Sequence, residues 1–285
     1  MEQLNLTLQD QATVSMQLYP VEQTDAPVLL FFPAMGVRAE FYSPFAASLN
    51  QEGITLITAD LRGLGTSSVR PSSSVDFGYK EMLGDFEVIV QKTKEQFPTA
   101  PLYIGGHSLG GQLACLHASK HPEDIEGLVL IAACSIYYKG WRGGERLKTR
   151  LGITLFPKLS KWFGYFPGDK VGFGGKASKT MLLDWSHVGK TSRYEVIGDD
   201  FDYETAMSNT VIPIFAAAIE GDWMAPEMAI KNLYQKFHTA APVHPFTLKY
   251  KEVGKQLNHF NWVKNGGLLA QELTAWLAKS QGIKS

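Results

Sequence analysis

Ser108 sits in the stretch "LYIGGHSLGGQLACLHASKHP" (102–122), with Gly105 and Gly106 ahead of it and Gly110 and Gly111 behind. Glycine is costly in regular structure and favoured where backbone turns sharply or approaches a neighbour closely. An apolar run precedes the serine and a helix-forming run follows it. The G-x-S-x-G spacing therefore predicts a strand, a tight turn and a helix, with the serine Oγ held clear of the sheet. Side chains at Gly106 and Gly110 would collide across such a turn, and Gly111 eases packing of the helix. The helix N-terminus adds unpaired N–H groups and a partial positive charge. These residue types suit a nucleophile that attacks a carbonyl and a site that receives the resulting oxyanion.

A serine at neutral pH needs a base, and the base needs an acid to orient it. Seven histidines are available. His107 belongs to the turn, His117 and His121 ride the following helix, and His187 lies in the middle of the chain. His238 ends a helix, and His244 precedes the strand "PFTLKY", at the end of the sheet away from the ligand side. His259, in "KQLNHFNWV", follows that strand and precedes the last helix, where it can reach the carboxyl ends of the strands. Asp222, in "IPIFAAAIEGDWMAP", comes directly after a strand at the same edge. Asp199, Asp200 and Asp202 fall in the acidic run "GDDFDYE", which reads as a solvated hinge. Asp184 lies in the middle block, and "AACSIYYKG" offers no carboxylate.

The elements that must carry these residues follow from hydrophobic patterning. After an N-terminal hairpin, the runs "PVLLFFP", "GITLITAD", "PLYIGG" and "EGLVLIAAC" have the character of buried parallel strands. Helical stretches lie between them at Arg38–Glu52, Tyr79–Phe97 and Leu109–His121. The order is βαβα, an α/β chain with a mostly parallel, doubly wound sheet. The alternation lapses over 136–210, rich in Gly and aromatic residues, and resumes with "VIPIFAAAI", a helix at Pro226–Phe237, "PFTLKY" and a last helix near Trp262–Lys279. The expected organisation is a core of 1–135 and 211–285 with an inserted cap, 136–210. No internal repeat interrupts it.

Composition excludes several classes. The 285 residues, 45% of them hydrophobic, can bury one large core. A net charge of −1 offers no basic stripe for nucleic acid. Cys115 and Cys134 lack zinc or redox spacing and read as buried thiols in a reducing compartment. The N-terminus alternates like a strand rather than a leader, and no apolar run has the length of a membrane span, so a cytoplasmic protein is expected. "GFGGK" (172–176) lacks the spacing and the Ser/Thr of a phosphate loop and reads as a turn of the cap.

With Ser108, Asp222 and His259 in this order, the chain resembles the α/β-hydrolase family, in its monoacylglycerol-lipase-like and serine-aminopeptidase-like branch. "LLFFPAMGVRAEFY" occupies the place of the oxyanion loop. Its usual His-Gly is Pro33-Ala34 here, so the resemblance carries the backbone donors over to Met35 and Leu109. "DLRGLGTSS" matches the turn after the fourth strand and reads as structural. Ile219 and Asn258 stand where glycine is frequent. The resemblance implies a serine esterase working through an acyl-enzyme on Ser108, with no metal or cofactor and a small-molecule ester as partner.

The aromatic residues of the cap suggest an apolar acyl or alkyl group, held in a pocket of Ala34, His107, Trp141, Trp162, Phe163, Trp185 and Trp223. Two alternatives stay open: an acyltransferase or thioesterase using the same triad, and a non-catalytic binding module on a hydrolase scaffold. The sequence leaves monomer and dimer open.

Overall fold

Runs of Val, Ile, Leu and Phe buried on both faces form the central strands β3 (Val28–Phe32), β4 (Thr55–Ala59), β5 (Leu102–His107), β6 (Gly127–Ile131) and β9 (Ile214–Ile219). The computed structural model describes residues 1–282. Eight strands make one sheet in the order β1-β2-β4-β3-β5-β6-β9-β10, with β1 at Glu2–Thr7, β2 at Thr13–Tyr19 and β10 at Val243–Leu248. β1 and β2 form the antiparallel hairpin, β2 runs antiparallel to β4, and every other pairing is parallel. Helices α1 (Ser43–Gln51), α2 (Tyr79–Gln96) and α3 (Leu109–Lys120) connect the first parallel strands.

Several element bounds shift, among them the helix expected from Arg38, which opens as a 3₁₀ turn at Ala39–Tyr42 before α1. His244 lies inside β10 rather than ahead of it, paired with Phe215. Pro245 invites a later start, but β10 is an edge strand, where a missing N–H is tolerated. The last helix begins as a 3₁₀ turn over Asn261–Asn265 before α10 (Gly267–Gly282).

Between β6 and β9 stand α4 (Gly143–Phe163), β7 (Tyr165–Pro167), α5 (Gly168–Val171), β8 (Lys176–Ser178), α6 (Lys179–Thr191) and α7 (Tyr203–Asn209). β7 and β8 pair as an antiparallel ribbon. Specific polar bonds tie this block to the sheet layer. Asp184 of α6 accepts the Tyr79 N–H at 2.8 Å, at the start of α2, and the Ile197 N–H at 2.9 Å. Asp76 accepts the Thr180 N–H at 2.9 Å. The Trp141 indole N–H donates to the Trp223 carbonyl at 2.8 Å, reaching the loop after β9. α8 (Glu227–Tyr234) and α9 (Tyr250–Val253) complete the chain's elements.

Candidate active site

β5 ends in a turn whose crowding explains its glycines. A Cβ on Gly106 would stand 2.5 Å from the Gly111 nitrogen and 2.7 Å from the Phe32 carbonyl oxygen. One on Gly110 would stand 2.6 Å from the Pro33 carbonyl oxygen and press on that of Phe32. Any side chain at either position would push α3 off β3 and β5. Ser108 itself sits at φ 54, ψ −115, a conformation that side-chain-bearing residues rarely adopt. Such strain costs about 1–3 kcal/mol and persists where the surroundings enforce it.

Asp222 follows β9 through a turn closed by its own N–H on the Ile219 carbonyl, with Gly221 at φ 79. Its Oδ2 lies 2.7 Å from His259 Nδ1, and its Oδ1 accepts the Met224 N–H at 2.9 Å. Both side chains are almost wholly buried. That bond orients the imidazole and leaves Nε2 as the ring's other polar atom. His259 is set by Asn258, whose side chain accepts the Phe260 and Asn261 N–H groups at 2.9 Å each. Asn258 therefore performs a capping task that glycine cannot.

A cavity of about 270 Å³ joins these elements and includes Ser108, Leu109, Met35 and His259 in its wall. Leu109 is the first residue of α3, so its N–H has no partner within the helix. Met35 lies in a turn closed by Val37 N–H on the Ala34 carbonyl. The Ala34 N–H is committed elsewhere, to the Tyr42 hydroxyl at 3.0 Å. Gly36, at φ 76, meets the tip of the β7–β8 ribbon backbone to backbone. A Cβ there would stand 2.6 Å from the Gly174 carbonyl oxygen, and one on Gly174 would stand 2.5 Å from Met35 Sδ. The "GFGGK" stretch is thus a turn pressed on the Met35 turn.

The structure brings Ala34, Trp141, Trp185 and Trp223 to the cavity wall. It does not bring Trp162, Phe163 or His107 there. Trp162 and Phe163 end α4 on its solvent side. His107 is fully buried beneath His259, their ring centroids 4.5 Å apart, with Nδ1 2.9 Å from the Tyr42 hydroxyl. Burial, followed by the neighbouring His259 charge, pushes its pKa well below the usual histidine value.

Sequence reasoning missed Gln112, Lys148, Gly152 and Phe260 in the wall. Gln112 was within reach, since its N–H bonds the Ser108 carbonyl one helical turn on. Phe156, Phe173 and Trp185 pack as one aromatic group, with centroids 5.1–6.4 Å apart. Among the described residues, the grouping that could ligate a metal is His121, Glu123 and Asp124, at the far end of α3 from the cavity. Asp124 there is paired with Lys94 at 2.5 Å.

The family model described as serine aminopeptidase, S33, matches residues 23–185, more than half of the chain, including Ser108 but stopping before Asp222 and His259. Among curated proteins, Lipase 1 of Psychrobacter immobilis is 27% identical over 118 residues, 39% of this chain and 33% of that one. A pimeloyl-[acyl-carrier protein] methyl ester esterase of Shewanella woodyi is 31% identical over 105 residues, 37% of this chain and 35% of that one. The chain spans about half of the length of the curated relatives it matches, or less. In shape it is similar to the monoglyceride lipase of Saccharomyces cerevisiae, solved as a soluble variant with a substrate analogue. That likeness has a TM-score of 0.72 at 16% identity and covers 98% of this chain and 94% of that one.

Proposed function

The chain belongs to the serine aminopeptidase, S33, family of α/β hydrolases, and from that premise we propose that it cleaves small carboxylic esters with an apolar acyl or alkyl group through an acyl-enzyme on Ser108. The observation that carries this reading is the buried 2.7 Å contact of His259 Nδ1 with Asp222 Oδ2, whose imidazole shares a cavity wall with a serine at a strained turn.

In the proposed mechanism His259 Nε2 takes the Ser108 proton as Oγ attacks the ester carbonyl. Asp222 holds the Nδ1–H tautomer and stabilises the imidazolium. The Met35 and Leu109 N–H groups receive the tetrahedral oxyanion. His259 then returns the proton to the leaving alcohol. Water, deprotonated by the same imidazole, attacks the acyl carbonyl and regenerates Ser108. The block from 136 to 210 acts as a cap, and its Trp141, Phe156, Phe173 and Trp185 give the acyl group apolar walls. At about 270 Å³ the cavity lies near the lower end of the usual range of about 300–1,000 Å³ for ligand pockets. Short to medium acyl chains fit it best.

The test is a panel of nitrophenyl esters from acetyl to long-chain, run beside acyl-CoA and peptide amides, with fluorophosphonate labelling mapped by mass spectrometry. Ester turnover with an adduct at Ser108 supports the reading. Turnover only with an added alcohol or thiol acceptor would favour acyl transfer. An unlabelled, inactive protein would favour the binding module.

A further inference from the structure

Gln112 is a buried amide in a wall that is otherwise largely apolar. It is 1% exposed, and it lines the cavity beside Leu109, Cys134, Ile136 and Phe156. It stands one turn beyond Ser108 on α3, its own N–H bonded to the Ser108 carbonyl. Helical side chains lean back toward the N-terminus of their helix, which here aims the amide toward the end that carries the serine.

The two ends of this amide differ in what they meet. Oε1 accepts the Tyr194 hydroxyl proton at 3.4 Å. Nε2 carries two N–H donors. It has no partner among the described residues, yet it is not one of the polar atoms sealed from solvent. In a residue so deeply buried, the opening that reaches Nε2 is the cavity itself. Lys148 and Thr149 of the same wall are exposed and half-buried, so water serves them whatever fills the cavity. Gln112 has no such recourse.

We propose that Gln112 is a specificity-determining residue whose Nε2 donates to an oxygen carried on the acyl chain, an assignment that rests on the ester reading given above. The preferred substrate is then an ester of an acid with one ether, keto or hydroxyl oxygen set in an otherwise apolar chain. A plain alkyl chain filling the cavity would expel water from Nε2 and leave its donors unpaired, whereas a chain oxygen would take the water's place. A buried group that lacks a partner rejects the analogue unable to supply one more strongly than an apolar wall rejects a chain by size.

Nitrophenyl octanoate and its counterparts with an ether oxygen in place of the fourth, fifth or sixth carbon test this, since an ether accepts without donating and hardly alters chain length. At one oxygen position, kcat/KM relative to octanoate should be about ten-fold higher in the wild type than in Gln112→Met, which keeps the side chain's length without its amide. Comparing the ratio between proteins cancels the intrinsic reactivity of each ester. Gln112→Met with Tyr194→Phe removes both polar partners. It should show the same lost preference with a thermal midpoint closer to wild type, which separates lost recognition from damaged packing. Octanamide and its ether counterparts, titrated calorimetrically, give the comparison without turnover. An inactive protein that still binds one ether amide about ten-fold more tightly, and loses that preference in Gln112→Met, would remove the ester reading and keep the Gln112 contact. Ratios within about two-fold at every oxygen position, in turnover or in binding, would overturn the proposal. So would an ether preference that Gln112→Met leaves unchanged.

Discussion

The Tyr42 hydroxyl bridges the two halves of the site: it accepts the Ala34 N–H at 3.0 Å and lies 2.9 Å from His107 Nδ1, whose ring packs under His259. One buried oxygen thus holds both the turn that presents Met35 and the residue on which the imidazole rests. Tyr42→Phe keeps the ring and removes the oxygen. It should leave two buried groups unpaired at a cost of about 2–3 kcal/mol. If Tyr42 positions the oxyanion turn, kcat should fall about ten-fold with KM within about two-fold, because the lost alignment matters in the transition state. Steady-state kinetics beside thermal melting check this. An unchanged kcat with a lowered midpoint would reduce Tyr42 to packing.

Asp222→Asn should lower kcat by about 10⁴-fold, since the amide stabilises the wrong imidazole tautomer. Ser108→Ala should lose about 10⁶-fold in kcat and fold normally, because it trims one hydroxyl from a turn held by its neighbours. The double variant should be no worse than Ser108→Ala, as members of one catalytic unit do not add. Additive losses in kcat/KM on purified, folded variants would contradict a shared mechanism.

Gly152 offers a direct handle on acyl length. It lies within α4 on the cavity wall, and the atoms nearest to a Cβ there belong to the Phe156 ring, at 3.4–3.8 Å. Gly152→Leu should therefore fold, helped by a better helix former, and fill part of the cavity. Octanoyl ester kcat/KM should fall by about ten-fold or more while acetyl ester stays within about three-fold. Each excluded methylene forfeits about 0.8 kcal/mol of apolar transfer. Equal losses on both esters would mean that the acyl group does not occupy this side of the cavity.

His117 gives a pH signature. Burial pushes its pKa down to about 4, so the folded state excludes a proton that the unfolded chain accepts near its ordinary value of 6.5. A depressed base contributes stability that is intact above 6.5 and is lost as pH falls from 6.5 toward 4. The loss approaches about 3 kcal/mol. Asp184 acts oppositely, its carboxyl raised to about 6 by burial, so the comparison must be between proteins. His117→Leu should unfold in urea with a smaller drop from pH 7 to pH 4.5 than wild type. Parallel curves for the two proteins would refute the assignment.

The elbow at Ser108 was legible because its requirement is local. Four glycines within seven residues suit a crowded turn and little else, and their close approaches to Phe32, Pro33 and Gly111 are those of such a turn. The Asp222–His259 contact was legible because each follows a recognisable strand, so sheet topology alone brings them to one edge. Trp162 and Phe163 were not legible as outward-facing. The apolar residues of α4 lie on both of its faces, and periodicity cannot say which of two apolar faces is inside. His107 misled for a different reason: adjacency to Ser108 in sequence puts it on the opposite side of the turn, where it serves Tyr42 and the underside of His259. Lys148 and Gly152 depend on how α4 lies across the sheet, which is a matter of tertiary packing.

The meeting of Gly36 with Gly174 has a bearing on how this molecule could diversify. Side chains in contact can exchange rotamers to absorb a change, but two stretches of bare backbone have one spacing, fixed by their own atoms. The tip of the ribbon is therefore a datum for the Met35 turn, a hard stop rather than a cushion. On the proposed reading, substitutions in the aromatic walls can alter which acyl group fits while the distance from that stop to the Met35 N–H stays constant. A β-carbon at Gly36 would act as a wedge and reset it, whereas one at Gly174 would meet the movable Met35 side chain. On the proposed reading, selection on substrate range has a broad field at Trp141, Gly152, Phe156 and Trp185 and almost none at Gly36, so lineages could drift in specificity without losing the proposed chemistry.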